Sequence, residues 1–243
     1  MTILPKLRGR TTLDIGTSFE KHALKYLNNQ LYMDLRRVGG AGDGGIDLRG
    51  WWWLPRSPRI SGDMTEAENE SVRRVRVIVQ CKAEKKGLGP RNVRELEGVM
   101  GNLRYHSNPS STSTLSLSSS SQTSDNSLNP DEEDIAILIS QSGFTKSTML
   151  YSTSSNIPLM LVHLPGGQPA AQSDHKLEAE GPLDDGSQKI EVRSLWWNKA
   201  LSEGVLGNEI ELRRTIGPKG VGVGLWMGGR KIGRCGPKGA WSE

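Results

Sequence analysis

The alternation of apolar and polar positions divides the chain into short elements. From Thr17 to Leu31, the residues Phe19, Ala23, Tyr26, Leu27 and Leu31 recur at helical spacing, which predicts an amphipathic helix. Met33 to Val38 reads as a strand ending in Gly39-Gly40. Gly42-Asp43-Gly44-Gly45 predicts a tight turn that needs glycine. Two strands follow, Ile46 to Leu54 and Arg74 to Ala83, with the polar stretch from Pro55 to Ser71 inserted in their hairpin. Gly89-Pro90 opens a second helix, since proline suits a first turn, and Val93, Leu96, Val99, Met100 and Leu103 form its apolar stripe. Ile135 to Ser140 is a compact apolar strand, Phe144 to Tyr151 a short helix and Ile157 to Leu164 another strand. The predicted order is α-β-β-β-α-β-α-β, which implies an α/β layered core.

Two segments break this pattern. From Ser107 to Asn129, 11 of 23 positions are Ser, too polar to bury the surface that ordering requires. Gly166 to Ser187 is a second polar stretch. The expected organisation is a core over residues 14–165 with disordered insertions at 55–72 and 106–133. A polar linker at 166–189 then leads to a C-terminal appendage at 190–243. In that appendage Ile190 to Leu195 and Glu209 to Arg213 are candidate strands, and Trp196-Trp197 is the candidate packing anchor.

Composition narrows the classes. Hydrophobic residues make up 35 % of the 243, so part of the chain lies outside any core. No apolar run reaches the roughly 18 residues of a membrane span. Two cysteines, Cys81 and Cys235, make neither a disulfide framework nor a zinc site, and a reducing compartment fits. His22, His106, His163 and His175 lack metal-ligand spacing. The net charge of +4 is concentrated at one end: from Leu212 to Glu243 seven bases face one acid. Such a Gly-rich basic tail fits a phosphate backbone as partner, or simply a solvated end. Within it, Gly220-Val221-Gly222-Val223-Gly224 lacks the spacing of a phosphate loop. Residues 1–13 carry Lys6, Arg8 and Arg10 with no acid, weakly like a mitochondrial transit segment.

The candidate chemistry lies at one end of the central hairpin. Along Arg74 to Lys82 the side chains alternate, so Val75, Val77, Val79 and Cys81 share the core face while Gln80 and Lys82 point the other way. If Ile46 to Leu54 pairs with this strand, Asp47 sits near Gln80 and Lys82. A carboxylate, an amide oxygen and an ammonium at one place suit a hard cation such as magnesium, an activated water and developing phosphoryl charge.

Gly42-Asp43-Gly44-Gly45-Ile46-Asp47 followed by Val79-Gln80-Cys81-Lys82 resembles the Mrr-type restriction endonucleases, a branch of the PD-(D/E)xK nucleases in which glutamine commonly replaces an acid. Ser18-Phe19-Glu20, Val93-Arg94-Glu95-Leu96-Glu97-Gly98 and Ser142-Gly143-Phe144-Thr145 align with further pieces of that pattern, which spans Thr17 to Leu164 with gaps. The resemblance implies a restriction-endonuclease-like core with a central mixed β-sheet flanked by helices. It also implies metal-dependent hydrolysis of DNA. Asp47 is then the metal-binding acid, Lys82 the catalytic lysine, Gln80 the substituted acid, and Glu20 a helix-borne carboxylate at the metal. The Cys81 carbonyl is a further ligand to Mg2+ or another divalent cation. A homodimer is compatible with the family. The insertions and the Trp-Trp-Asn segment are similar to a fungal mitochondrial branch named for a requirement in respiratory growth, which implies a mitochondrial location. The competing implication is an inactive nuclease fold that binds nucleic acid or supports respiratory function.

Each site residue also has a plainer reading. Thr17-x-x-Glu20 fits a capping box, a role compatible with metal binding. Asp43 suits a turn former better than a ligand. Lys82 fits a solvated strand end, and Gln80 fits a partner for a nearby backbone group. Cys81 falls on the core face, with no base beside it to make it a nucleophile. Trp51-Trp52-Trp53 either stacks on unpaired bases or alternates along a buried strand.

Overall fold

A computed structural model describes residues 11–39, 44–56, 72–107, 134–166, 190–217 and 220–236. The expected N-terminal basic segment, Asp43, most of the two insertions and nearly all of the 166–189 linker lie outside the described residues.

The chain opens with α1 (Thr12–Gln30), followed by β1 (Met33–Arg37), β2 (Leu48–Pro55), β3 (Val72–Lys82), α2 (Pro90–Ser107), β4 (Asp134–Ser140), α3 (Lys146–Thr153) and β5 (Leu159–His163). This is the element order expected from the hydrophobic pattern, with ends shifted by a few residues. The largest shift is at α1, which starts at Thr12. Thr11 is its N-cap, in a capping box closed by Asp14, whose backbone N–H donates to the Thr11 hydroxyl at 3.2 Å. The Thr17–Glu20 pair therefore lies inside the helix and caps nothing, which corrects the capping-box reading.

The strands form one six-stranded mixed sheet in sequence order, β1-β2-β3-β4-β5-β6, where β6 is Ser194–Trp197. The β1/β2 and β2/β3 pairs are antiparallel, β3/β4 and β4/β5 are parallel through the α2 and α3 crossovers, and β6 closes antiparallel on β5. Parallel strands need such crossovers, and strands covered on both sides become continuous apolar runs. Every residue of β4 is buried accordingly, as is Val75 to Gln80 in β3. One core layer joins α1 to Leu48, Trp52, Val75, Val77 and Val79; the opposite layer joins α2 to Ile78, Ala136, Leu138 and Leu161.

The C-terminal region differs from the expected appendage. Its first strand is the sixth strand of the main sheet, and Trp196 and Trp197 pack on opposite core layers. After a π-helical turn (Ala200–Val205) come β7 (Ile210–Gly217), β8 (Gly220–Met227) and β9 (Arg230–Lys231), a small antiparallel sheet in that order. Ile210, Leu225 and Ile232 are buried in the α1 core layer, so this region shares the main core. The Gly-rich stretch of the tail is β8 itself. Val223, Leu225 and Met227 alternate toward the core, a period-2 signal obscured by the glycines between them.

Candidate active site

The hairpin register is the device that assembles the site. Leu48 pairs with Val79 and Arg49 with Ile78, so Asp47 arrives beside the Gln80-Cys81 end of β3. Its backbone is tied on both sides. The Asp47 N–H donates to the Val79 carbonyl at 2.9 Å, and the Asp47 carbonyl accepts from Val38 at 2.9 Å. Its carboxylate Oδ2 accepts the Cys81 backbone N–H at 2.6 Å. An aspartate in a strand context thus has a specific partner across the ladder.

The turn ahead of Asp47 is shaped by two glycines in the left-handed region, Gly44 (φ 64°) and Gly45 (φ 83°). A Cβ on Gly45 would stand 3.1 Å from Gln80 Nε2, so a side chain here would crowd that amide and glycine leaves it room. Gln80 is buried at 5 % exposure, and among the described residues its Oε1 has no hydrogen-bond partner. A buried acceptor left unpaired costs about 1–3 kcal/mol, so this oxygen calls for an explanation. The plain reading of Gln80, a bond to nearby backbone, finds no support at that atom.

Lys82 lies two residues further along, at the half-exposed end of β3. Its Nζ is 3.9 Å from Glu95 Oε2 on α2, and Glu95 also pairs with Arg91 at 2.9 Å. Glu20 reaches the same end of the sheet from the α1 side, where it forms an ion pair with Arg37 of β1 at 2.7 Å. α1 is held in place for this by Asn28, whose amide bonds both the N–H and the carbonyl of Leu35 at 3.1 Å. The Cys81 thiol registers the convergence. Burial pushes it well above its ordinary value; the Asp47 and Glu20 carboxylates add to the shift and Arg37 opposes it. Cys81 is therefore a protonated packing residue, as its place on the core face predicts.

The structure brings Asp47, Gln80, Cys81 and Lys82 together along one hairpin end and places Glu20 within electrostatic reach. Among the described residues, no group of three or more His, Cys, Asp or Glu side chains is positioned to hold a metal ion. Two residues at the site escaped sequence reasoning, Arg37 and Glu95. Each is the oppositely charged partner of an expected site residue, delivered by a different element. Glu95 stands in a motif already singled out, but nothing in that motif shows that it meets Lys82.

Downstream of β4, Ser142 Oγ donates to the carbonyls of Glu84 and Lys86 at 2.7 Å, and Thr145 caps α3. The Ser142 to Thr145 motif therefore organises the loops beyond Lys82.

These features define a mixed α/β protein with helices on both faces of a six-stranded sheet and a carboxylate, amide and lysine at the end of its central hairpin. The family model described as Required for respiratory growth protein 7 matches residues 11–130. The chain is similar to an uncharacterized mitochondrial protein of Schizosaccharomyces pombe, 37 % identical over 89 residues that cover 37 % of this chain and 30 % of that relative. It is also similar to the mitochondrial Required for respiratory growth protein 7 of Saccharomyces cerevisiae, 32 % identical over 124 residues, 40 % of this chain and 51 % of the relative. The chain thus spans about half, or less, of the curated relatives it matches. No solved structure matches it. Among the described residues, no helix is long and apolar enough to cross a membrane.

Proposed function

We propose that this chain is a mitochondrial member of the respiratory-growth family with a restriction-endonuclease-like fold, acting as a metal-dependent endonuclease of Mrr type on DNA. The observation that carries the reading is the register placing Asp47 against Cys81, with Gln80 and Lys82 on either side. The names of the relatives support the location.

The donor set fits a hard cation in kind. Asp47 supplies carboxylate oxygen and Gln80 a buried amide oxygen that otherwise has no partner among the described residues. The Cys81 carbonyl completes an all-oxygen set of the type magnesium takes, with waters in the remaining positions. When bound, the ion would supply an acidified water and neutralise charge on a phosphoryl oxygen. The protein's own part is orientation. Asp47 is held by the Cys81 N–H, Gln80 is buried beside the glycine turn, and Lys82 carries an ammonium to hold the attacking water or the developing negative charge. Glu20 joins the ligand set only if its pair with Arg37 opens.

The test is magnesium-dependent cleavage of plasmid DNA by the purified chain, Asp47→Asn and Lys82→Ala. Loss of cleavage in both variants is expected, and equal cleavage by all three proteins rejects the assigned site. One observation favours a non-cutting, DNA-binding reading: Glu20 and Lys82 are both engaged by opposite charges, Arg37 and Glu95. DNA affinity with no metal-stimulated turnover selects that reading.

A further inference from the structure

The side of the sheet opposite α1 is covered unevenly. The buried members of its core layer come from β3, β4, β5, α2 and the Leu88 loop, and none from β1 or β2. On β2 the residues that follow Asp47 at every second position, Arg49, Trp51 and Trp53, therefore face this side, where the backbone at Gly236 covers Trp53 and Arg49 is exposed. Arg36 of β1 lies directly opposite Arg49, and both are exposed. Like charges directly opposite in a ladder destabilise it. Among the described residues no carboxylate pairs with either of them. Arg74 lays its guanidinium over the Trp51 ring at 4.4 Å from the centroid. Burial pushes the carboxyl of Asp34, the cross-strand partner of Trp51, above its ordinary value, and Arg234, from nearly 200 residues away in sequence, opposes the shift from the same side.

We propose that this β1–β2 face binds a single strand of DNA, with phosphates on Arg36 and Arg49 and an unpaired base stacked on the Arg74–Trp51 platform. Phosphate oxygens would relieve the repulsion that the two facing arginines otherwise carry, which gives the pair a physical reason to exist. A guanidinium lying on an indole offers a flat cationic surface. Unpaired bases stack on such surfaces, whereas the bases of a duplex have their faces occupied. The face is continuous with the candidate active site, because Arg49 is two residues from Asp47 on the same side of β2. The inference rests on the nuclease reading only for this direction, a strand led toward Asp47. Binding itself requires no cleavage.

The experiment is fluorescence anisotropy with a labelled oligo-dT strand of about 16 nucleotides, a length that covers one such surface, and a duplex of equal length. All titrations are in EDTA, so that binding is read apart from turnover. Arg36→Gln/Arg49→Gln should weaken single-strand binding by at least about tenfold. It should also lower the slope of log affinity against log salt by about 1.4, two phosphates at roughly 0.7 each. Its thermal midpoint should be unchanged or raised, which separates lost binding from lost folding. Trp51→Ala should cost roughly 5- to 150-fold and Trp51→Phe much less. Unchanged affinity and salt slope in the double arginine variant overturns the site. Equal binding of duplex and strand, indifferent to Trp51, overturns the single-strand assignment. Cleavage assays on Asp47→Asn bear on the nuclease reading alone.

Discussion

The Asp47 carboxylate accepts the backbone N–H of Cys81 at 2.6 Å, so the turn entering β2 is latched to the last residues of β3. This latch and the proposed chemistry use the same side chain, and two substitutions separate them. Asp47→Asn keeps an oxygen for the Cys81 N–H and removes the charge. Asp47→Ala removes both and leaves the amide without its side-chain acceptor. We expect Asp47→Ala to lose about 1.5–3 kcal/mol in urea unfolding, the worth of a bond to a charged group, and Asn to lose clearly less. Both should abolish cleavage. An Asn variant as destabilised as Ala would show that the charge, not the hydrogen bond, fixes the turn.

Arg76 and Asp134 pair side by side across β3 and β4, at 5 % and 4 % exposure, through two bonds of 2.5 and 2.6 Å. Removing one member strands a buried charge. Asp134→Ala should therefore lower stability by about 3–5 kcal/mol, measured by denaturant titration. Arg76→Met combined with Asp134→Leu should recover most of that loss, because an apolar pair of similar size avoids the desolvation cost. A double variant as unstable as the single one would mean that the pair is needed to set the parallel register.

The contrast between these two pairs shows what the sequence could convey. The position of Asp47 near Gln80 and Lys82 is legible because it follows from two local facts, period-2 alternation in β3 and a hairpin that brings the start of one strand beside the end of the next, whereas its bond to the Cys81 N–H is seen only in the structure. The Arg76–Asp134 pair depends on a parallel register set through a long crossover, which no local pattern encodes. Glu20–Arg37 and Lys82–Glu95 were hidden for the same reason, since ion-pair partners on separate elements leave no spacing signature. At α1 two capping boxes competed, Thr11–Asp14 and Thr17–Glu20, and the longer helix won. It buries the same Phe19-to-Leu27 face while adding a turn. In the tail, the glycines between Val223, Leu225 and Met227 mask a period-2 strand, so composition alone leaves only a phosphate-binding or solvated end in view.

Asn198 shows how the Trp-Trp-Asn segment is fastened. It is 1 % exposed; its Oδ1 accepts from Leu159 and Leu201, and its Nδ2 donates to the carbonyls of Ser155 and Ile157. One side chain thus joins the end of β6 to the start of β5 and to the π-helical turn. Asn198→Ala should cost about 3 kcal/mol or more, since several buried backbone groups lose partners at once. Asn198→Asp should also be destabilising, because it keeps the acceptor but loses both donors and buries a charge. Hydrogen exchange should report the Asn198→Ala loss first at the Leu159 and Leu201 amides. Exchange unchanged at both would remove Asn198 from this role.

Tyr26 is fully buried in the α1 core layer, and among the described residues its hydroxyl has no hydrogen-bond partner. Burial raises its pKa far above the ordinary tyrosine value, so the native state keeps the proton. An unfolded chain releases that proton near pH 10. Between that pH and the native value the native state binds more protons than the unfolded one, and stability falls as pH rises. Below pH 10 both states are protonated and Tyr26 contributes no slope. Tyr26→Phe deletes a hydroxyl that gains nothing in the core, so it should stabilise the protein by about 1 kcal/mol at neutral pH. It should also flatten the alkaline decline above pH 10. The Cys81 thiol, raised well above its ordinary value, adds a similar decline beginning above about pH 8.5, the unfolded thiol value. That contribution is common to wild type and variant and cancels in their difference. Urea unfolding of both proteins from pH 7 to 11 makes the comparison. A difference that does not widen above pH 10 would mean that the native hydroxyl ionises as readily as the unfolded one, and hence that it is not sealed in the core.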